Sequence, residues 1–382
     1  MTNHPPLRVL AIALLMFTQL AQTLYSPALT NIGQAFTVEP HTAGRTLSVF
    51  FLAFASGVVT WGLLCDRIGR RPAMLSGLAL YACASVLTMR VSTFNAMLAA
   101  QALAAFGASV GSVVTQTVLR DRFKGADLAQ VFSLIGIALS VSPAIGLFAG
   151  ASLVQGFGYR GVAGGLLLLS LALALVCLYA LPETRPQRLC MPPFFETLWQ
   201  MLGDLRLWRS ASLVALFNVA LFSYYSLGPF QFQRLGLSVQ WFGYSGVVLA
   251  LASGLGAWLN KCLLRRSFDG ARLIRLAAGL ALSGGISVWL LQGSVLFVLA
   301  MVPVVLAFGM AIPNILATAL GGYSDRVGTA GALFGLLYYL LMGSGLMLAV
   351  WVQALGEVLI ACGALACLLT LKIKLADPQF GV

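Results

Sequence analysis

The sequence predicts an all-α membrane protein with twelve spanning helices arranged as two six-helix bundles. Three observations predict it. Of the 382 residues, 60% are hydrophobic and only 9% charged, where a soluble domain carries about 25% charged residues. The apolar residues fall into runs of about twenty, the length that crosses a bilayer as a helix. Lys and Arg crowd into alternate gaps between those runs. With a mean hydropathy of +0.93, a chain of this size has too much apolar surface to hide from water, so its solvent is lipid.

Taken in order, the runs give spans at 8–29, 43–64, 72–90, 95–118, 128–153 and 161–182, then at 208–229, 239–260, 273–292, 295–320, 330–351 and 354–373. The first run is too long for a signal peptide and lacks a small-residue cleavage site, so it is expected to stay as span 1. Charge sets the orientation. With the N-terminus inside, 19 of the 23 Lys and Arg residues fall in inner segments, and only Arg45, Arg90, Arg160 and Arg234 fall outside. Short cytoplasmic loops collect such residues. An inner-membrane protein with both termini cytoplasmic is therefore expected. The net charge of +12 is spread between spans rather than gathered on a patch, which argues against nucleic acid and for anionic lipid headgroups as neighbours.

The longest break, near 181–207, carries Pro182, Pro186, Pro192 and Pro193 with Arg185 and Arg188 and cannot continue a helix. It divides the chain into an N-terminal bundle at 1–182, a linker at 183–207 and a C-terminal bundle at 208–382. The halves echo each other. Trp61 and Cys65 match Trp258 and Cys262 in spacing, and Tyr25, Ser26 and Pro27 match Tyr225, Ser226 and Pro229.

Between spans 2 and 3 runs GLLCDRIGRRPAML, Gly62 to Leu75. Gly69 permits the reversal and Pro72 opens the next helix. Asp66 can accept from an arginine or face a positive helix N-terminus, with span 11 near Ala330 as the candidate neighbour if the bundles meet on the inside. Arg70 or Arg71 can pair with Asp121 at the end of span 4. Together with Gly62, Arg67 and Gly69 these residues are expected to latch one conformational state; the rival reading makes the charges topology anchors alone. In span 5, Pro143 deletes a backbone hydrogen bond, while Gly146 and Gly150 share a face that allows close helix approach.

Eleven Asp and Glu are present, and none is expected at mid-membrane; Glu357 comes nearest. His4 and His41 lie outside the spans. The seven cysteines form no disulfide or metal spacing and read as reduced, structural thiols. No cluster suits catalysis or metal binding, so neither an enzyme nor a cofactor is expected.

The basic loop, with Gly62, Asp66, Arg67, Gly69, Arg70 and Arg71, resembles the signature G-x-L-x-D-R-x-G-R-R/K of the major facilitator superfamily. SPAIGLFAG, Ser142 to Gly150, resembles the span 5 motif of its drug exporters. LYSPAL in span 1, LRDRF around Arg120–Phe123 and LPETRP at Leu181–Pro186 resemble the bicyclomycin- and chloramphenicol-resistance branch. The resemblance implies the major facilitator fold and a monomeric drug:proton antiporter of small molecules, working by alternating access. Two departures stand out. Thr23 occupies the place where such exporters carry an acid in span 1, and Gln101, Ala104 and Ala105 stand where they carry R-x-x-Q-G in span 4.

What remains for a central cavity is polar but neutral. Gln22, Thr23, Gln101, Asn218 and Tyr225 are the candidate substrate contacts, and they suit an amphiphilic organic solute without positive charge. Any of them can equally serve as interhelical glue. Export of neutral or non-cationic organic molecules is the first expectation. The alternative is an uncoupled facilitator, importer or exporter of a metabolite or a metal chelate such as a siderophore. A receptor or embedded enzyme lacks both the soluble insertion and the residue cluster it would need.

Overall fold

The computed structural model describes residues 5–185, 194–323 and 327–371. His4, Pro186, Arg188, Cys190, Pro192, Pro193, Asp325, Arg326, Lys372, Lys374 and Asp377 lie outside them. The chain separates into two compact units, Met1–Met191 and Pro192–Val382. The described residues contain helices and turns and no strand.

The first unit holds α1 (Pro5–Thr23), α2 (Leu29–Ala35), α3 (Pro40–Ile68), α4 (Arg70–Arg90), α5 (Phe94–Arg122) and α6 (Gly125–Ala180). The expected span 1 is interrupted. After α1, residues 24–28 tighten into turns, with Ser26 N bonding Thr23 O and Ala28 N bonding Tyr25 O, and α2 then carries the chain on to Ala35. Pro27, which has no N–H to give, lies in this break. Spans 5 and 6 were expected to be separated by several loop residues. Instead α6 contains both, broken at the single residue Gly158, with φ 64° and ψ −163°. A Cβ on Gly165 would lie 3.1 Å from Leu153 Cδ1, so the chain doubles back on itself there. The new direction is fixed by Asn31, whose Oδ1 accepts from Tyr159 N at 2.8 Å.

Helix α5 lies at the centre of this unit, touching α1, α3 and α4. Small residues allow the contact. A Cβ on Gly107 would meet Gly77 O at 2.8 Å, and one on Gly57 would meet Phe106 O at the same distance. Trp61 Nε1 donates to Phe106 O at 2.8 Å, which holds α3 on α5.

The second unit holds α7 (Phe194–Gly203), α8 (Leu205–Arg234), α9 (Val239–Arg265), α10 (Gly270–Leu291), α11 (Phe297–Ala300), α12 (Val302–Ala319), α13 (Val327–Val352) and α14 (Leu355–Leu371), with a 3-10 turn at Gly321–Tyr323. Span 10 is broken between α11 and α12, just before Pro303. Helix α7 was not expected at all: it forms inside the stretch read as a non-helical linker. The most apolar stretch of α8 is 89% buried, whereas that of α9 is 22% buried. Helix α8 is thus the interior helix of its unit, and α9 turns most of its apolar surface outward, as lipid requires. Helix α8 packs on α12, α13 and α14, and α10 on α12 and α14.

Counting α6 twice, the nine helices long and apolar enough to cross a bilayer become ten crossings, and the shorter Leu7–Thr23 and Leu355–Leu371 complete twelve among the described residues.

Candidate functional site

The basic loop is built around one arginine. Gly69 holds φ at 104°, which ends α3 and starts α4 within a single residue and turns Arg70 inward. The Arg70 side chain is 3% exposed. Its Nη1 lies 3.0 Å from Asp66 Oδ1 and donates to Cys65 O at 3.1 Å, while its Nε lies 2.9 Å from Asp121 Oδ2. The open choice between Arg70 and Arg71 is therefore resolved for Arg70. Arg71 instead donates through Nη2 to Leu178 O near the end of α6. Gly62 is half-buried and Arg67 exposed.

Glu183 was not singled out from the sequence, yet it completes the loop. Its Oε1 accepts from Arg70 N at 2.9 Å and its Oε2 from Arg71 N at 3.1 Å, so it caps the N-terminus of α4, where Gly69 offers no side chain. A carboxylate is favoured there by the helix dipole and the unpaired N–H groups. A Cβ on Gly69 would sit 2.6 Å from Glu183 Oε2, so glycine is needed for space as well as for its dihedrals. Partial burial pushes the Glu183 carboxyl up, but the N–H groups of Arg70, Arg185, Arg71 and Thr184 outweigh this and hold it below its ordinary value. Thr184 Oγ1 donates to Asp121 Oδ2 at 2.8 Å. One cluster thus ties α3, α4, α5 and the end of α6 together. The signal for Glu183 was an acid directly after a span, beside a loop of arginines.

The span 5 motif forms a close seam with span 1. A Cβ on Gly146 would lie 1.9 Å from Thr23 Oγ1, and one on Gly150 would lie 2.5 Å from Leu24 O. The backbone keeps helical dihedrals through Pro143. Thr23 is fully buried against this seam, and its hydroxyl donates to Gln19 O at 3.0 Å.

Of the other candidate substrate contacts, Gln22 and Gln101 are buried in the first unit. The Tyr25 hydroxyl faces Gln101 and Thr88, but neither Oε1 nor Nε2 of Gln101 has a well-formed hydrogen bond among the described residues. The Thr115 hydroxyl on the same helix is likewise unpartnered. In the second unit, Asn218 Nδ2 donates to Val214 O at 2.8 Å within its own helix. Tyr225 belongs to an aromatic cluster, its ring centroid 5.1 Å from Phe222 and 6.1 Å from Tyr224. Tyr224 donates to Ser245 Oγ at 2.5 Å and joins α8 to α9.

Carboxylates keep to the helix ends. Asp66, Asp121, Asp127 and Glu357 lie in first or last turns, and Glu39, Glu183, Asp204 and Asp269 flank helices. Glu196 is in the short helix α7. No described acid lies within the middle of a span.

The sequence model of the Major Facilitator Superfamily matches residues 11–350. The chain belongs to the major facilitator superfamily. Relatives include Multidrug resistance protein D of Escherichia coli, 27% identical over 89% of this chain and 87% of that protein. The Chloramphenicol resistance protein of Pseudomonas aeruginosa is 26% identical over 86% of this chain and 80% of its own length. Among solved structures, a D-xylose-proton symporter superposes with a TM-score of 0.79 at 14% identity, covering 98% of both chains; at that identity the likeness speaks for the fold alone. Major facilitator proteins are transporters rather than enzymes. This chain is a multi-pass membrane transporter of small molecules with drug-resistance proteins among its relatives.

Proposed function

We propose that this transporter exports small neutral or non-cationic organic molecules across the inner membrane by alternating access, with its basic loops and both termini cytoplasmic. The observation that carries the reading is the confinement of the described carboxylates to helix ends. An organic cation at mid-membrane needs a counter-charge, since its desolvation otherwise costs several kcal/mol. A neutral solute needs only dipoles. The Gln101 amide, buried beside the Tyr25 hydroxyl without a well-formed hydrogen bond, is a group that a neutral polar substrate can engage, with Gln22 and Thr23 as its companions in the first unit; Asn218 and Tyr225 are the candidate contacts of the second. The drug-resistance names of the relatives support export of organic solutes. The cluster of Arg70, Asp66, Asp121 and Glu183, with Gly62, Arg67, Gly69 and Arg71 around it, serves in this reading as the brace whose integrity sets the balance between states. The Pro143, Gly146 and Gly150 seam packs span 5 closely on span 1 within the first unit.

The test is uptake into everted vesicles of a neutral phenicol-like compound and a quaternary ammonium dye, with and without a pH gradient. Preferred movement of the neutral compound is expected. Efficient gradient-driven movement of the dye would overturn the reading.

A further inference from the structure

The short helix α7 carries three distinct faces. With about 100° between successive residues, Phe194, Thr197, Leu198 and Met201 share one side; Thr197 and Met201 are buried, and Met201 joins the core of the second unit with Phe194 and Leu198 packed against it. Glu196 and Gln200 share a second side, where Gln200 Nε2 donates to Glu196 Oε1 at 3.2 Å. Phe195, Trp199 and Leu202 occupy the sector between them. Phe195 and Trp199 are each 73% exposed, and Leu202 is 44% exposed. Leu205, at the start of α8, is also exposed, at 83%.

This stripe is held in place. Asp204 follows α7 and caps α8, its Oδ1 accepting from Arg206 N at 2.9 Å and Leu207 N at 3.3 Å. Its Oδ2 accepts from the Tyr323 hydroxyl at 3.2 Å, and Trp208 Nε1 donates to Leu202 O at 3.0 Å. The helix is therefore fixed to the end of a membrane span, α8, with its aromatic sector exposed.

We propose that α7 is an interfacial helix. It seats Phe195, Trp199 and Leu202 in the headgroup region of the leaflet on the side of the basic loops and turns Glu196 and Gln200 to water. Three observations argue for a lipid occupant. Trp and Phe on one edge of an amphipathic helix suit the boundary between acyl chains and headgroups. The stripe is continuous with a membrane span rather than isolated on a soluble surface. Arg206 and Arg209 follow the stripe closely in the chain, in the first turns of α8, a basic segment of the kind that anionic headgroups favour. The proposal rests on the cytoplasmic placement of the basic loops, but its test needs no transport, so the two readings fail separately.

In the test, full-length protein is reconstituted into vesicles of phosphatidylcholine and phosphatidylglycerol. Subtracting the emission of Trp199→Phe from that of the wild type isolates Trp199; Trp199→Tyr provides the same subtraction should the first variant misfold. Lipids brominated near the headgroup should reduce the difference signal to about half or less, lipids brominated at the chain ends should reduce it less, and aqueous iodide should scarcely change it. Omitting phosphatidylglycerol should shift the difference emission to the red. Quenching by iodide with no response to brominated lipid would overturn the proposal and assign the stripe to water or a soluble protein partner. An emission unchanged by the anionic lipid would overturn the part given to Arg206 and Arg209.

Discussion

Replacing Arg70 by lysine keeps the positive charge that orients the loop and removes the fork that joins three acceptors. The substitution therefore separates a structural brace from a topology marker. In the native protein the guanidinium makes a bond to Asp121, a bond to Cys65 O and a contact with Asp66. A hydrogen bond to a charged group is worth about 1.5–3 kcal/mol. Asp66 is 36% exposed, which brings its pair down to the about 0.2–1 kcal/mol of a surface bridge. Asp121 is 19% exposed and keeps more of its value. Lysine recovers one of these bonds, leaving a net loss of about 2–4 kcal/mol, consistent with the cost of disturbing a largely buried pair. Equilibrium unfolding of the purified protein in mixed SDS micelles measures this directly. Arg70→Lys should insert normally, unfold at lower SDS and transport poorly. Stability within about 0.5 kcal/mol of wild type, together with normal transport, would refute the brace and leave the arginine as a charge label.

Gln101→Leu should abolish or strongly reduce transport with a change in stability of at most about 1 kcal/mol, because the amide faces the Tyr25 hydroxyl without a well-formed hydrogen bond; a loss of about 2 kcal/mol or more in SDS titration would make Gln101 structural. Gly150→Ala should destabilise by about 1–3 kcal/mol, since its Cβ meets the backbone at Leu24. Gly146→Ala should be partly rescued by Thr23→Ala, which removes the clashing Oγ1, and a double-mutant cycle in the same titration reads that coupling. Glu183 has a carboxyl held below its ordinary value, so its contribution is complete above pH 4.5 and is lost as pH falls below that value. An unfolding series across that range should show wild type weakening more steeply than Glu183→Gln, and parallel curves would remove Glu183 from the cap.

Much of this fold was legible because lipid imposes a length on every apolar run and charge marks the alternate ends. Composition settles the solvent, and the count of twelve follows from spacing. What escaped reading has local causes. The Gly158 reversal uses one residue where a loop was expected, because a glycine with positive φ and the Asn31 side chain do the work of a turn. Helix α7 was missed because ten residues are too few to register as a span and the prolines before it argue for an irregular linker. Glu183 was missed because its partners, Arg70 and Arg71, lie over a hundred residues away; nothing local tells an acid after a span which helix N-terminus it will meet. The polar residues at Gln22, Gln101, Asn218 and Tyr225 were visible as residues, but burial and bonding distinguish them only in three dimensions: Asn218 spends its amide on its own helix, and Gln101 does not.

The Gly158 junction bears on how the chain enters the membrane. Two apolar segments joined by one residue leave the insertion machinery no connecting stretch to thread across ahead of the second helix, so spans 5 and 6 are expected to enter together as a helical hairpin. Their backbone polar groups are satisfied within each arm from the start, which lets the pair partition as a unit. The same compactness leaves no non-helical stretch of chain at this point beyond Gly158 itself. Cleavage or epitope insertion is therefore expected at residues 91–93 or 292–296, where non-helical chain separates the helices, before it is tolerated at Gly158.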